Sequence, residues 1–235
     1  MTAIVVGAGP AGLMAAERLV TMGRHVTVID QRRSFGRTLL LAGRSGLNLT
    51  HSEPLDDVLD RYGPGRPQLE PMIRAFDPVA LRAWADELGV ETFVGSSGRV
   101  FPVGQKATPL LRAWLARLVE AGVEFRTGLA WSGFVDGGIS AVDEDGSTQE
   151  LRADGVVLAL GGGNWPRVGG DGSWIKILRD AGVECVDLAA ANAGVLVDWT
   201  PKHLADFEGE PLKNVAVSIA GQTIRGEPVV TRGGL

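Results

Sequence analysis

The sequence predicts an α/β fold: a parallel sheet wound with helices, carrying a helical insertion and a β-meander, and followed by the start of a β-rich second domain. Three observations carry this. The first thirty residues alternate strand, helix and strand patterns, an apolar run near residue 156 ends in Gly161-Gly162, and from Ala193 onward the period shortens to brief strands. At 235 residues the chain has room for one ordinary domain and a small second one. Its 45% hydrophobic content excludes a largely disordered chain. Glycine, 33 residues, is about twice the roughly 7% usual share, and its lack of a period excludes a collagen-like fibre.

The elements follow in order. Thr2–Val6 is a short apolar, β-branched run of the kind buried on both faces of a parallel sheet. Gly7-Ala8-Gly9-Pro10-Ala11-Gly12 comes directly after it, then a helix pattern over residues 13–20 that stops at Gly23. A second strand over residues 25–29 ends in Asp30. Each part has a physical task in holding a dinucleotide. Gly7 permits the tight turn, Gly9 presents no Cβ to a pyrophosphate, and Gly12 lets helix and strand pack closely. The helix aims its unpaired N–H groups and positive dipole end at the phosphates. Asp30, eighteen residues after Gly12, is placed to accept from ribose hydroxyls. This is the fingerprint of a Rossmann-like domain. Arg32 and Arg33 could take a 2′-phosphate or form a solvated pair, and Asp30 favours the second by repelling that phosphate.

A Gly-rich segment over residues 34–53 makes no clean helix, and the third parallel strand is expected only at residues 123–126. Such an excursion suits an FAD enzyme better than an NAD dehydrogenase. Within the helical insertion, about 52–121, helices are expected at residues 55–62, 78–88 and 109–121, with a hairpin formed by 92–94 and 99–101. Its Trp and Leu stripes read as core. Runs at 130–135, 139–143 and 148–152 form the meander, and residues 154–162 a buried parallel strand whose small-residue end admits a bulky ligand. The glycine cluster in residues 164–172 reads as a loop at the sheet's C-terminal edge, over the flavin, before a helix at 173–181. The domains expected are thus 1–192, the FAD-binding part, and 193–235, an incomplete β-domain with strands at 195–198, 215–219 and 223–225; His203 falls in a loop.

Several classes are excluded or disfavoured. A lone Cys185 forms no intrachain disulfide and no thiolate zinc cluster, so a reducing compartment and no metal are expected. There is no run of about 20 apolar residues and no basic leader, which predicts a cytoplasmic protein without a membrane segment. A net charge of −5 with scattered arginines argues against a nucleic-acid partner and leaves a small-molecule substrate. Oligomeric state is open.

The N-terminal fingerprint resembles, together with residues 36–51 (Gly-Arg-Thr-Leu-Leu-Leu-Ala-Gly-Arg-Ser-Gly-Leu-Asn-Leu-Thr-His), Gly98-Arg99-Val100-Phe101-Pro102 with Lys106-Ala107, and Leu158-Ala159-Leu160-Gly161-Gly162, a bacterial NAD(P)/FAD-dependent oxidoreductase family that includes aminoacetone oxidase and BaiN-type flavoproteins. The resemblance implies FAD as cofactor, with NAD(P)H a candidate transient donor. It implies FAD contacts at Gly7, Gly9, Pro10, Ala11 and Gly12, at Asp30 and Gln31 beside the ribose, at Arg37, Ala42 and Gly43 near the diphosphate or ribityl, and at Asn48, Ala159, Gly161 and Gly162. Asn48 and His51 are the catalytic candidates, each with a structural alternative. Thr38 stands where much of the family has Lys, and Gly46-Leu47 where it has Arg-Cys, so cysteine-dependent flavin chemistry is not carried over. Relatives run longer and close their cofactor site with a late strand and helix, so a fragment is expected here. Three readings stay open: a flavin oxidoreductase moving two electrons from NAD(P)H or a small substrate to an organic acceptor or oxygen, a non-enzymatic FAD-binding or redox-sensing protein, and an inactive fragment.

Overall fold

A computed structural model describes residues 1–43, 46–189, 194–213, 215–219 and 221–235. The chain divides into two compact units, Met1–Val186 and Asp187–Leu235. The expected boundary at 192/193 lies outside the described residues, as do Arg44 and Ser45 of the segment 36–51.

The first unit opens with β1 (Thr2–Val6), α1 (Pro10–Thr21) and β2 (His25–Asp30). Pro10 takes the first helical position, where its missing N–H costs nothing, and Gly23 at φ +73 carries the chain out of the helix. Next come α2 (Arg37–Ala42), a two-residue β3 (Thr50–His51), α3 (Leu55–Asp60), α4 (Arg66–Ala75) and α5 (Pro78–Glu87). Asp77 caps α5 by accepting from the Ala80 N–H at 2.8 Å. Then follow β4 (Thr92–Val94), β5 (Arg99–Pro102), α6 (Ala107–Glu120), β6 (Glu124–Thr127), β7 (Ala130–Val135), β8 (Gly138–Val142), β9 (Thr148–Arg152), β10 (Gly155–Leu158) and α7 (Trp174–Asp180).

The central sheet is parallel, in the order β10-β1-β2-β6, so all four strands end on one edge. Side chains alternate across it. Val5 and Val28 face Leu13 and Ala16 of α1 and, behind them, Trp84, Leu110, Trp114 and Leu118 of the insertion. Ile4, Val6 and Ile29 face Leu129, Trp131, Ile139 and Ala141 of the antiparallel β7-β8-β9 meander, with Trp174 and Ile177 of α7 packed alongside. Among the described residues no helix is long and apolar enough to cross a membrane.

The structure corrects several expectations. Residues 34–53 do contain a helix, α2, which opens after Gly36 at φ +61. The third helix of the insertion starts at Ala107 rather than at Pro109, because proline fits the first turn without losing a hydrogen bond. α4 was masked in the sequence by Pro67 and Pro71, which read as breaks yet lie inside it. β10 is an edge strand with Val156–Leu158 half-buried, not buried on both faces, since β1 pairs with only one of its sides.

The second unit holds α8 (Pro201–Phe207) and a hairpin of β11 (Val215–Ile219) with β12 (Gln222–Gly226). His203 is helical, not in a loop: Thr200 caps the helix through its hydroxyl and Pro201 starts it. Its ring stacks on Trp199 at 4.5 Å. Residues 195–198 form no strand, and only isolated bridging ties Leu196 to Gly234.

Candidate functional site

The parallel strands end at a cleft of about 150 Å³. Its floor is the turn after β1. Gly7 sits at φ +103, and a Cβ there would lie 2.3 Å from the Ala159 carbonyl oxygen. At Gly12 a Cβ would lie 1.8 Å from the Gly7 oxygen, so this glycine serves the approach of α1 to β1. Gly9 differs: the nearest atom to its missing Cβ is Thr38 Oγ1 at 3.7 Å, and the residue lines the cleft. The space beside Gly9 is therefore open on the cleft side. α1 begins at Gly9 without a side-chain cap or an acidic residue in its first turn, which leaves the dipole end uncompensated and suited to an anion.

Asp30, at the end of β2, accepts from the Ala8 N–H at 2.8 Å and the Arg32 N–H at 2.7 Å. One carboxylate thus braces the glycine turn and the turn that follows β2. Arg37 donates to Ser34 Oγ at 3.1 Å, and among the described residues lining the cleft Arg37 is the only cation. The far wall is apolar, built by Leu129 and Trp131 at the start of the meander and by Trp174 and Ile177 of α7. A strap over residues 163–172 forms the roof. Within it Asp171 accepts the Ser173 N–H and hydroxyl, and these bonds hold its carboxyl below the usual carboxylate range.

Of the residues expected at a cofactor, Gly7, Gly9, Asp30, Gln31, Arg37, Ala159, Gly161 and Gly162 line this one cleft. Pro10, Ala11 and Gly12 form the first turn of α1 just behind Gly9 and are off the lining. Ala42 and Gly43 end α2 elsewhere, with Gly43 packed on Ala107, where a Cβ would meet the Ala107 Cβ at 2.7 Å. Asn48 is exposed and off the lining. His51 lies in β3: Nε2 is 2.9 Å from the Ser97 carbonyl oxygen, and Nδ1 is 3.2 Å from the Glu53 N–H. Both ring nitrogens are thereby engaged beside the small β3-β5-β4 sheet. The strap, expected at the sheet's C-terminal edge over the flavin, reaches Gln31 and Arg32 beyond the end of β2.

Sequence reasoning missed Ser34, Thr38 and the Leu129, Trp131, Trp174 and Ile177 wall. Leu129 and Trp131 carry a period-two signal that could have found them, whereas the α7 pair shows only helical spacing, which equally describes core.

The family described as HI0933-like protein Rossmann domain matches residues 1–235. Among curated proteins, the chain is 42% identical over 50 residues to the ribosomal RNA dihydrouridine synthase of Haemophilus influenzae, covering 21% of this chain and 12% of that protein. It is 33% identical over 166 residues to the protein FixC of Salmonella typhi, covering 68% of this chain and 36% of FixC. Putrescine oxidase of Kocuria rosea is 38% identical over 109 residues, 45% of this chain and 19% of the oxidase. The chain therefore spans about a third or less of the length of these relatives. Among solved structures, Thermovibrio ammonificans THI4 superposes with a TM-score of 0.50 at 20% identity, over 78% of this chain and 64% of that one, a likeness of fold.

Proposed function

Because the chain belongs to the HI0933-like Rossmann-domain family, we propose that it is the FAD-binding part of a flavin-dependent oxidoreductase. The carrying observation is the division of labour among three glycines: Gly7 and Gly12 are closed by backbone, while Gly9 alone opens onto the cleft that Asp30 and Gly161-Gly162 also line. That is the arrangement a pyrophosphate needs at a helix N-terminus. FAD is favoured over NAD by the long excursion between β2 and β6 and by the meander, and the match to a putrescine oxidase agrees with oxidoreductase chemistry.

In this reading the first turn of α1 holds the diphosphate, Arg37 adds a charge on the same side, and Asp30 keeps lone pairs for ribose hydroxyls while bracing the turn. The Leu129, Trp131, Trp174 and Ile177 wall excludes water from the buried end. Bound FAD would supply hydride acceptance and onward electron transfer, and the protein its orientation and electrostatics. NAD(P)H or a small organic substrate is the proposed donor, an organic acceptor or oxygen the recipient, and a cytoplasmic setting the proposed location. The aminoacetone oxidase and BaiN-type branch is the proposed subfamily, and 1–192 with 193–235 the proposed domain division. Purified chain should carry flavin absorbance, or take up added FAD in a one-to-one complex. A colourless protein that takes up none refutes the cofactor assignment for this chain.

The match to the Haemophilus influenzae dihydrouridine synthase favours a second reading, in which the organic acceptor is a uracil ring within an RNA. Dihydrouridine formed in ribosomal RNA by the chain with FAD and NADPH would establish it. Turnover of small acceptors with no change in RNA would exclude it.

A further inference from the structure

The residues that follow β10 do not return directly to α7. After Gly161 at φ +72 they form a strap in which Trp165 and Gly170 exchange two backbone hydrogen bonds of 3.0 Å each, around a tight turn at Pro166–Val168. Gly169 at φ +102 and Gly172 at φ +75 complete the bend, at backbone angles that other residues adopt only with strain. The tip is fastened at the end of β2: Gln31 Nε2 donates to the Gly169 carbonyl at 3.0 Å, and Arg32 Nη2 lies 3.5 Å from the Pro166 carbonyl, the outer limit of a hydrogen bond.

In the sheet order β10-β1-β2, a segment that starts at the end of β10 and is fastened beyond the end of β2 must cross above the end of β1. The turn at Gly7 and Gly9 lies there. Asn164, Val168, Gly169 and Gly170 of the strap line the same cleft as Gly9 and Asp30, so a ligand running from Gly9 to Asp30 lies under it. The roofed cleft, about 150 Å³, is smaller than the roughly 300–1,000 Å³ of pockets that enclose drug-sized ligands, and a dinucleotide is larger than those. The fastening is slight. Among the described residues its hydrogen bonds are one well-formed and one marginal, the Arg32 charge also attracts Asp171 of the strap, and the buried Arg32 Nε has no acceptor.

We infer that residues 163–172 are a gate over the dinucleotide cleft, latched by the Gln31 side chain on the Gly169 carbonyl, and that opening this latch limits cofactor entry and exit. The inference rests on the FAD reading above. A latch differs from a ligand contact in its kinetic signature. Losing a contact to bound FAD raises the dissociation rate constant alone, whereas losing a latch raises association and dissociation together and leaves Kd nearly unchanged.

The test is stopped-flow flavin fluorescence on the full chain. Gln31→Ala should raise the association rate constant about fivefold, the factor that one net hydrogen bond represents, and the dissociation rate constant by at least as much, since Gln31 also lines the cleft. Gly169→Ala provides a second variant, since its methyl would stand 2.8 Å from Gln31 Nε2 and alanine at φ +102 strains the strap itself, both of which work against the latched form. The double variant should be no faster than the faster single one, the mark of two changes acting on one contact. Without ligand, trypsin should cut after the exposed Arg167 faster in Gln31→Ala than in the unaltered chain. A rise in dissociation alone would make Gln31 a plain ligand contact and overturn the gate. Binding with both rate constants unchanged would also overturn it while leaving the FAD reading intact. Failure of the unaltered chain to bind FAD would remove that reading, and the gate with it.

Discussion

The three glycines of the first turn make a prediction that separates fold from function. Replacing Gly9 by Ala adds a methyl whose nearest neighbour, Thr38 Oγ1, is 3.7 Å away, an ordinary contact. The backbone there, φ −77 and ψ 179, is open to any residue. Alanine is a somewhat poorer N-cap than glycine, but it also restricts the unfolded chain, so the ligand-free protein should change by no more than about 1 kcal/mol. Gly12→Ala puts its methyl 1.8 Å from the Gly7 oxygen, and no rotamer change relieves a clash with backbone. Strain at the upper end of overpacking, about 3 kcal/mol or more, is expected. At about 2–4 °C per kcal/mol for a chain of this size, Gly12→Ala should lower the Tm of the first unit by roughly 6–12 °C, and Gly9→Ala by less than about 4 °C. Their order reverses for ligand binding per unit of damage. Folded Gly9→Ala should lose at least about tenfold in FAD affinity, about 1.4 kcal/mol, because its methyl occupies the one open side of the turn. Calorimetry on ligand-free protein and FAD titration read the two quantities separately. Unaltered FAD affinity in Gly9→Ala, or a Tm loss equal to that of Gly12→Ala, would refute the assignment of roles.

Three further outcomes are expected. Glu17 of α1 accepts from the Trp84 and Trp114 indoles at 3.1 and 2.6 Å and from Arg117 at 2.9 Å, so Glu17→Leu should cost about 3–4 kcal/mol in urea unfolding; a cost below about 1 kcal/mol would show that the carboxylate is not the hub. His51→Ala should lose about 1 kcal/mol of stability with its contacts to Ser97 and Glu53, yet alter flavin reduction by substrate less than twofold, whereas a fall of about 10²-fold or more would restore it as a proton carrier. Asp154 is held below its ordinary pKa chiefly by the Thr2 N–H, then by the Thr2 hydroxyl. Its stabilisation is therefore fully present above the unfolded value of about 3.9 and lost as pH falls from there through the lower folded value. Asp154→Asn should flatten acid unfolding in that window, and curves that still superpose on the unaltered protein's would contradict it.

What could be read from the sequence was what is encoded locally. The β1-α1-β2 unit announces itself because strand run, glycine turn, helix and acid are consecutive. The meander strands were placed to within a residue because β7, β8 and β9 alternate and are joined by short Gly- and Asp-containing turns. The parts that escaped depend on partners far along the chain. β3 is two residues long, too short for any period, and exists through pairing with Val100 and Arg99. Glu17 stands beside Arg18 in α1, so alone it reads as a surface charge; its partners Trp84 and Trp114 stand 67 and 97 positions away.

The strap shows why the roof of the site was harder to read than its floor. Gly7 and Gly12 are constrained by atoms of the same turn or of the neighbouring strand end, and glycine is the residue that such crowding selects, while Gly9 stands between them in the same motif and faces the open cleft. Gln31 and Gly169 meet across 138 positions through one side-chain bond, a contact that leaves no compositional mark at either end. The glycines of residues 161–172 signal only that the chain bends there. Where the bend goes follows from β10 lying beside β1 rather than at the far edge by β6, and that adjacency is a property of the sheet. A site built where parallel strands end thus has a floor that can be read from one motif and a roof that requires the strand order.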